Sequence, residues 1–156
     1  MEDKKDIFDK FMSLPGVRIF MPLYVKYKEI LLYLFFGLLT TVIGIAFYIL
    51  FDTVCEINEL IANIMSWILA VTFAYVTNRI WVFESKVTER ADLLKEMLDF
   101  YGGRLVSLAV EEVIIIVFVT LLQFDSTLIK IIASVIVIIL NYIISKLFVF
   151  RKKEHE

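Results

Sequence analysis

From Ile30 to Phe51 the chain carries no charged side chain for 22 residues, and from Leu60 to Asn78 it does so again for 19. Each run is close to the roughly 20 residues a helix needs to cross a hydrocarbon core about 30 Å thick. Backbone facing lipid must satisfy its own N–H and C=O groups, which leaves helices or a closed barrel. Composition points to the same solvent: 60% of the 156 residues are hydrophobic and 15% aromatic, against roughly 45–50% apolar in soluble domains. A chain this short with such long runs makes a poor barrel despite its β-branched content.

Two further runs are interrupted. Phe100–Phe124 contains Arg104, Glu111 and Glu112, and Thr127–Phe150 is uncharged only between Lys130 and Lys146. Their Ile, Val and Leu content is extreme, and their cations lie near the ends, where long stems reach the interface. The expected fold class is therefore an all-α membrane protein with four transmembrane helices, at about 30–51, 58–80, 100–123 and 127–149. Residues 1–28 read as an interfacial lead-in: Ile7, Phe8, Phe11 and Met12 share a helical face against Lys4, Lys5, Asp6, Asp9 and Lys10, until Pro15-Gly16 breaks the pattern. In the linker 84–99, Val87, Ala91, Leu94, Leu98 and Tyr101 recur at spacings of four and three, which predicts an amphipathic helix on the cytoplasmic surface. No Gly/Ser or Pro linker interrupts 29–156, which reads as one domain.

The net charge of −2 conceals an uneven distribution. Cations precede the first run (Lys4, Lys5, Lys10, Arg18, Lys26, Lys28), lie between the second and third (Arg79, Lys86, Arg90, Lys95, Arg104), and close the chain (Lys146, Arg151, Lys152, Lys153). Lys130 stands alone. The other two connections hold acids and no cations, so the positive-inside rule places both termini and the middle segment in the cytoplasm.

The chain repeats itself. Residues 77–83 read TNRIWVF and residues 144–150 read ISKLFVF, 67 positions later. Upstream, YLFFGLLTTVIG from Tyr33 resembles LDFYGGRLVSLA from Leu98, an offset of 65 that pairs Phe35-Phe36-Gly37 with Phe100-Tyr101-Gly102. Two copies of a helical hairpin follow, inserted the same way round, with any pseudo-symmetry axis along the membrane normal. Gly37, Thr41, Gly44 and Tyr48 share a face that reads as a packing seam rather than a substrate surface.

Four groups of side chains are candidates for function. Arg79, Arg104 and Lys146 sit at headgroup depth beside Asn78 and an aromatic collar of Trp81, Phe83, Phe148 and Phe150. Singly such cations are membrane anchors; together, from three helices, they would form an anion site suited to a phosphate. Glu111 and Glu112 lie some 10 to 12 Å deeper than Arg104 at 1.5 Å per residue. A carboxylate at that depth must be protonated, paired or in contact with a polar cavity, and either a structural or a substrate and proton role meets the condition. Lys130, Ser134, Asn141 and Ser145 form a polar stripe that offers partners, and Asn63, Ser66 and Thr77 are a thinner equivalent on the second run. Cys55 is a single cysteine and His155 a single histidine in a charged tail, so no metal site and no nucleophile–base pair is expected, and the chain reads as a non-enzyme without a cofactor and without nucleic acid as a partner.

NRIWVF at 78–83, NYIISKLFVFR at 141–151 and YLFFGLLTTVIG together resemble the GtrA-like family of small four-helix membrane proteins, over roughly Ile30 to Arg151. The resemblance implies a multi-pass protein of the cell membrane that translocates a polyprenyl-phosphate-linked sugar, made by a cytoplasmic glycosyltransferase, for cell-surface polysaccharide modification. It assigns Asn78, Arg79, Trp81 and Phe83 to the first motif, and Asn141, Lys146, Val149, Phe150 and Arg151 to the second. Ser145-Lys146 departs from Asn-Arg, and an ammonium lacks the planar fork of a guanidinium. On this reading Arg79, Arg104 and Lys146, with Asn78, receive the phosphate, while Glu111 or Glu112, with Asn141 and Ser134, meets the sugar or couples protons. A small proton-coupled multidrug-type exporter is the first alternative, weakened because its glutamate belongs in helix one. A non-transporting scaffold for a membrane glycosyltransferase is the second. Four thin helices are few to enclose a path, which makes a homo-oligomer a candidate assembly.

Overall fold

The computed structural model describes residues 7–14 and 16–150, among which every regular element is helical. Lys4, Lys5, Asp6 and Pro15 of the expected lead-in, and Arg151 with the residues after it, lie outside the described residues. Helix α1 is Ile7–Met12. A single 3-10 turn, Arg18–Phe20, leads into α2, Met21–Val54. Helix α3 is Glu59–Val82 and α5 is Ser126–Val149; between them α4 takes in Arg90–Ile115 and the π turn Ile116–Leu121 that continues it. Helices α2, α3 and α5 are long and apolar enough to cross a membrane. Helix α4 matches them in length but carries Arg104, Glu111 and Glu112.

The chain divides into two compact units, Met1–Glu84 and Ser85–Glu156. In the first α2 packs on α3; in the second α4 packs on α5. The same devices close both. Asn58 Oδ1 accepts from the Leu60 N–H at 3.1 Å and Asp125 Oδ1 from the Leu128 N–H at 2.8 Å, satisfying donors that a helix start otherwise leaves unmade. The preceding helices end alike: Cys55 N–H donates to Leu50 O and Leu122 N–H to Val117 O, and Ile57 N–H donates to Phe51 O and Phe124 N–H to Phe118 O. Glu56 (φ 53°) and Gln123 (φ 59°) supply the left-handed residue that reverses the chain.

Every one of these pairs is 67 positions apart except the capped N–H groups, Leu60 and Leu128, where Asp125 reaches one residue further into its helix than Asn58 does. The expected offset of 65 between the first and third helices is therefore corrected to 67. Burial agrees, since Tyr33 and Phe100 are both buried, as are Phe36 and Gly103, whereas Phe35, the partner of Phe100 at 65, is 51% exposed. A two-residue slip turns a helix by about 200°, so the shared Phe-aromatic-Gly wording is a local likeness on opposite faces.

Two boundaries also move. Nothing between Arg90 and Phe100 stops a helix, so the stretch expected as a separate surface helix is irregular only to Glu89 and then runs directly into α4. Likewise α2 starts at Met21, with Pro22 in its first turn and one non-helical residue, Tyr27 (φ −121°, ψ 20°), before the uncharged run begins. Helix α1 folds back onto α2: the Phe8 ring meets Phe35 and Phe36 at 5.8 and 5.6 Å, and Asp9 accepts from Tyr24 Oη and Lys28 Nζ, each at 3.0 Å.

Candidate functional site

The end of α3 is built around two fixed points. Asn78, 1% exposed, opens the π turn Asn78–Val82; its Nδ2 donates to Ala74 O at 2.7 Å and its backbone carbonyl accepts from Phe83 N–H at 2.9 Å. Three residues on, the Trp81 indole stacks on Phe36 of α2, with centroids 5.4 Å apart and planes at 23°. Phe36 also meets Phe73 edge-on at 6.5 Å. Arg79, half-buried, stands between a locked amide and a locked indole.

Asn78 was expected to contact phosphate. Its buried Oδ1 has no hydrogen-bond partner, and one of the two donors of its NH2 group goes to Ala74 O. Buried and bonded back to Ala74 O, Asn78 helps fix the turn that carries Arg79.

The end of α5 repeats the plan with different side chains. Ser145, also buried, takes the place of Asn78, and its carbonyl accepts from Phe150 N–H at 2.8 Å. Phe150 is 6% exposed and packs on Phe100 of α4 at 5.8 Å, while Phe148 is 72% exposed. Of the expected aromatic collar, Phe150 is thus a core residue, Trp81 and Phe83 are half-buried, and Phe148 alone points outward. The Arg104 guanidinium lies over the Phe100 ring, 4.9 Å from its centroid, a favourable cation–π placement. Lys146 Nζ donates to Tyr142 Oη at 3.2 Å.

Deeper in the second unit, Lys130 Nζ lies 2.7 Å from Glu111 Oε1, with side chains 58% and 16% exposed. Glu111 is therefore paired inside its own hairpin. Glu112, about 100° round the helix, is exposed. Asn141 is buried and Ser134 half-buried on α5, so the polar stripe turns its lower half into the helix contact and leaves Lys130 at the edge. In a double-variant cycle, Lys130→Met and Glu111→Gln should couple by about 1–2 kcal/mol, with Lys130→Met alone less stable in detergent unfolding than the double variant. Strict additivity would mean the pair contributes nothing.

The transmembrane domain described as GtrA/DPMS matches residues 32–150, which takes in both hairpins and both motif ends. The chain belongs to this family. Among its relatives, the Bacillus subtilis membrane protein YwcD is 36% identical over 126 residues, covering 80% of this chain and 98% of YwcD. The cell wall teichoic acid glycosylation protein GtcA of Listeria monocytogenes is 34% identical over 126 residues, covering 81% of this chain and 87% of its own length, and GtcA of Listeria innocua matches to the same extent.

This GtrA/DPMS chain uses residues that the motifs did not single out. Gly103 sits where a Cβ would lie 2.7 Å from Ile144 Cγ2, so α4 and α5 approach closely at this point. Buried Ser107, whose Oγ donates to Arg104 O at 2.9 Å, continues the same face. Gly103-xxx-Ser107 is a small-residue spacing of four that could have revealed the contact. In α2, by contrast, only Gly44 packs, 3.4 Å from Ala70 Cβ; Gly37 faces open space and Thr41 is exposed, because the buried face runs through Leu32, Tyr33 and Phe36.

Proposed function

We propose that this membrane protein carries a polyprenyl-phosphate-linked sugar across the cell membrane, for glycosylation of a cell-surface polymer. It does so as a four-pass protein with both termini and the middle segment in the cytoplasm, and it performs no covalent chemistry itself. The observation that carries the reading is the pair of equivalent helix ends, each with a cation one residue after a buried polar side chain and two before an aromatic. Family membership supports it, and so do the Listeria relatives named for teichoic acid glycosylation.

A lipid-linked sugar phosphate brings an anion at headgroup depth, a polar ring that must cross, and a chain that stays in lipid. The cations that meet the anion are Arg79 in the first unit and, separately, Arg104 and Lys146 in the second, with Asn78 and Trp81 holding the turn that presents Arg79. Glu112, the exposed carboxylate of the pair, meets the sugar or carries the proton, with Asn141 and Ser134 as further polar partners. Glu111 is held by Lys130 and has a supporting part. The donor of the cargo is a membrane glycosyltransferase.

The test is transfer of a fluorescent polyprenyl-phosphate-linked sugar in proteoliposomes. Wild type should exceed protein-free vesicles at least tenfold, and Glu112→Gln should lower the rate more than Glu111→Gln. A wild-type rate equal to that of empty vesicles would sink transport and leave the scaffold reading. Unchanged transfer in the Glu111→Gln, Glu112→Gln double variant would remove both carboxylates from the mechanism.

A further inference from the structure

The hairpins share a second equivalent feature at the ends opposite their motifs. In the first, a cleft of about 480 Å3 is lined by Tyr48 of α2 and Glu59, Leu60 and Asn63 of α3. In the second, a cleft of about 440 Å3 is lined by Ile115, Ser126, Thr127 and Lys130, among others. Tyr48 and Ile115, Glu59 and Ser126, Leu60 and Thr127, and Asn63 and Lys130 are each 67 positions apart, so the fold builds one cleft twice. Both volumes fall within the roughly 300–1,000 Å3 of small-molecule sites.

The chemistry of the two has diverged. In the first cleft a phenol, a carboxylate and a carboxamide converge, on two helices, and Glu59 and Asn63 lie one turn apart on the same face of α3. A carboxylate accepts from two hydroxyls, a carboxamide both donates and accepts, and a phenol does either. The aromatic ring adds a flat apolar wall for the C–H face of a sugar. Among the described residues no cation lines this cleft and Glu59 does, which disfavours a phosphate as its occupant. In the second cleft the position of Asn63 is taken by Lys130, tied to Glu111 at 2.7 Å, and those of Tyr48 and Glu59 by Ile115 and Ser126.

We infer that the cleft formed by Tyr48, Glu59 and Asn63 binds an uncharged pyranose ring. Glu59 and Asn78 are separated by about 28 Å of helix at roughly 1.5 Å per residue, close to the thickness of a hydrocarbon core. The cleft is thus a receiving site for the sugar at the membrane face away from Arg79, an assignment that rests on the transport reading above. It takes the ring alone, whether the ring arrives on a polyprenyl phosphate or as a free saccharide.

Saturation-transfer NMR on the detergent-solubilised full chain tests it, with methyl α- and β-glycosides of glucose, galactose and N-acetylglucosamine at millimolar concentration as probes. At least one glycoside should give ring-proton saturation with wild type. Glu59→Ala with Asn63→Ala, both exposed and safe for folding, should reduce that signal at least fivefold. Tyr48→Phe should reduce it about twofold, and Ser126→Ala with Thr127→Val in the second cleft should leave it unchanged. No saturation from any glycoside, or a signal that survives Glu59→Ala with Asn63→Ala, overturns the site. Proteoliposome transfer then separates the two readings. Slowed release of the lipid-linked sugar in the Glu59→Ala, Asn63→Ala variant places the site on the transport path. A wild type that binds glycosides but moves no lipid-linked sugar refutes transport and keeps the site; a wild type that transports but binds no glycoside does the reverse.

Discussion

Arg79→Ala lowers transfer of the lipid-linked sugar in proteoliposomes by tenfold to a hundredfold, while the variant elutes and melts like the wild type in detergent. The magnitude follows from removing one or more charge-assisted hydrogen bonds, each worth about 1.5–3 kcal/mol, at about 1.4 kcal/mol per tenfold. Folding survives because the turn is held by its neighbours, Asn78 through Ala74 O and Trp81 through Phe36. Arg79→Lys should retain part of the rate, since it keeps the charge and loses the planar fork. Lys146→Ala should cost less, about twofold to fivefold, because that ammonium is exposed and already shares a hydrogen bond with Tyr142. An Arg79→Ala variant that transfers at the wild-type rate would put the phosphate elsewhere.

The largest effect on stability is expected at Gly103. A methyl there would lie 2.7 Å from Ile144 Cγ2, whereas one at Gly44 would meet Ala70 Cβ at an ordinary 3.4 Å. Replacing a helical glycine by alanine normally gains up to about 1 kcal/mol, so Gly44→Ala should be neutral or mildly stabilising. At Gly103 the clash outweighs that gain: Ile144 is β-branched and stiff at χ1, the helices must part, and in lipid their association depends on close packing. Gly103→Ala should destabilise by about 1–3 kcal/mol. Ile144→Leu removes the offending Cγ2 and should restore most of the loss in the double variant. Thermal unfolding in detergent checks all four proteins, and a Gly103→Ala variant as stable as wild type would mean that the hairpin has slack at this point.

Helix existence and the hairpin plan were legible because a long uncharged run has one inexpensive conformation in lipid. The equivalence of the two motif ends was legible for a related reason: Asn78 with Ser145, and Phe83 with Phe150, occupy the same backbone hydrogen bonds. Faces were harder to read. The seam expected on Gly37, Thr41 and Gly44 assumed that small residues mark a contact, but on α2 the large rings of Tyr33 and Phe36 fill it and two of the small residues face outward. The fate of Asn78 was not legible at all. An asparagine beside an arginine reads as an exposed group, whereas the helix geometry buries it with one N–H turned back on Ala74 O. Glu111 and Glu112 were recognisable as anomalies, yet only the packing of α4 on α5 tells the paired carboxylate from the exposed one.

The constant interval of 67 has a meaning for how this chain has changed. From Tyr33 to Phe83 and from Phe100 to Phe150, capping residues, left-handed residues, the bonds that close the helix ends and most buried positions stay in step, although most side chains differ between the copies. Over this stretch the two halves have the same length, residue for residue. Each hairpin keeps the same number of residues between its two ends while the side chains differ, and a one-residue insertion within α3 or α5 would turn one end of the helix by about 100° against its buried face.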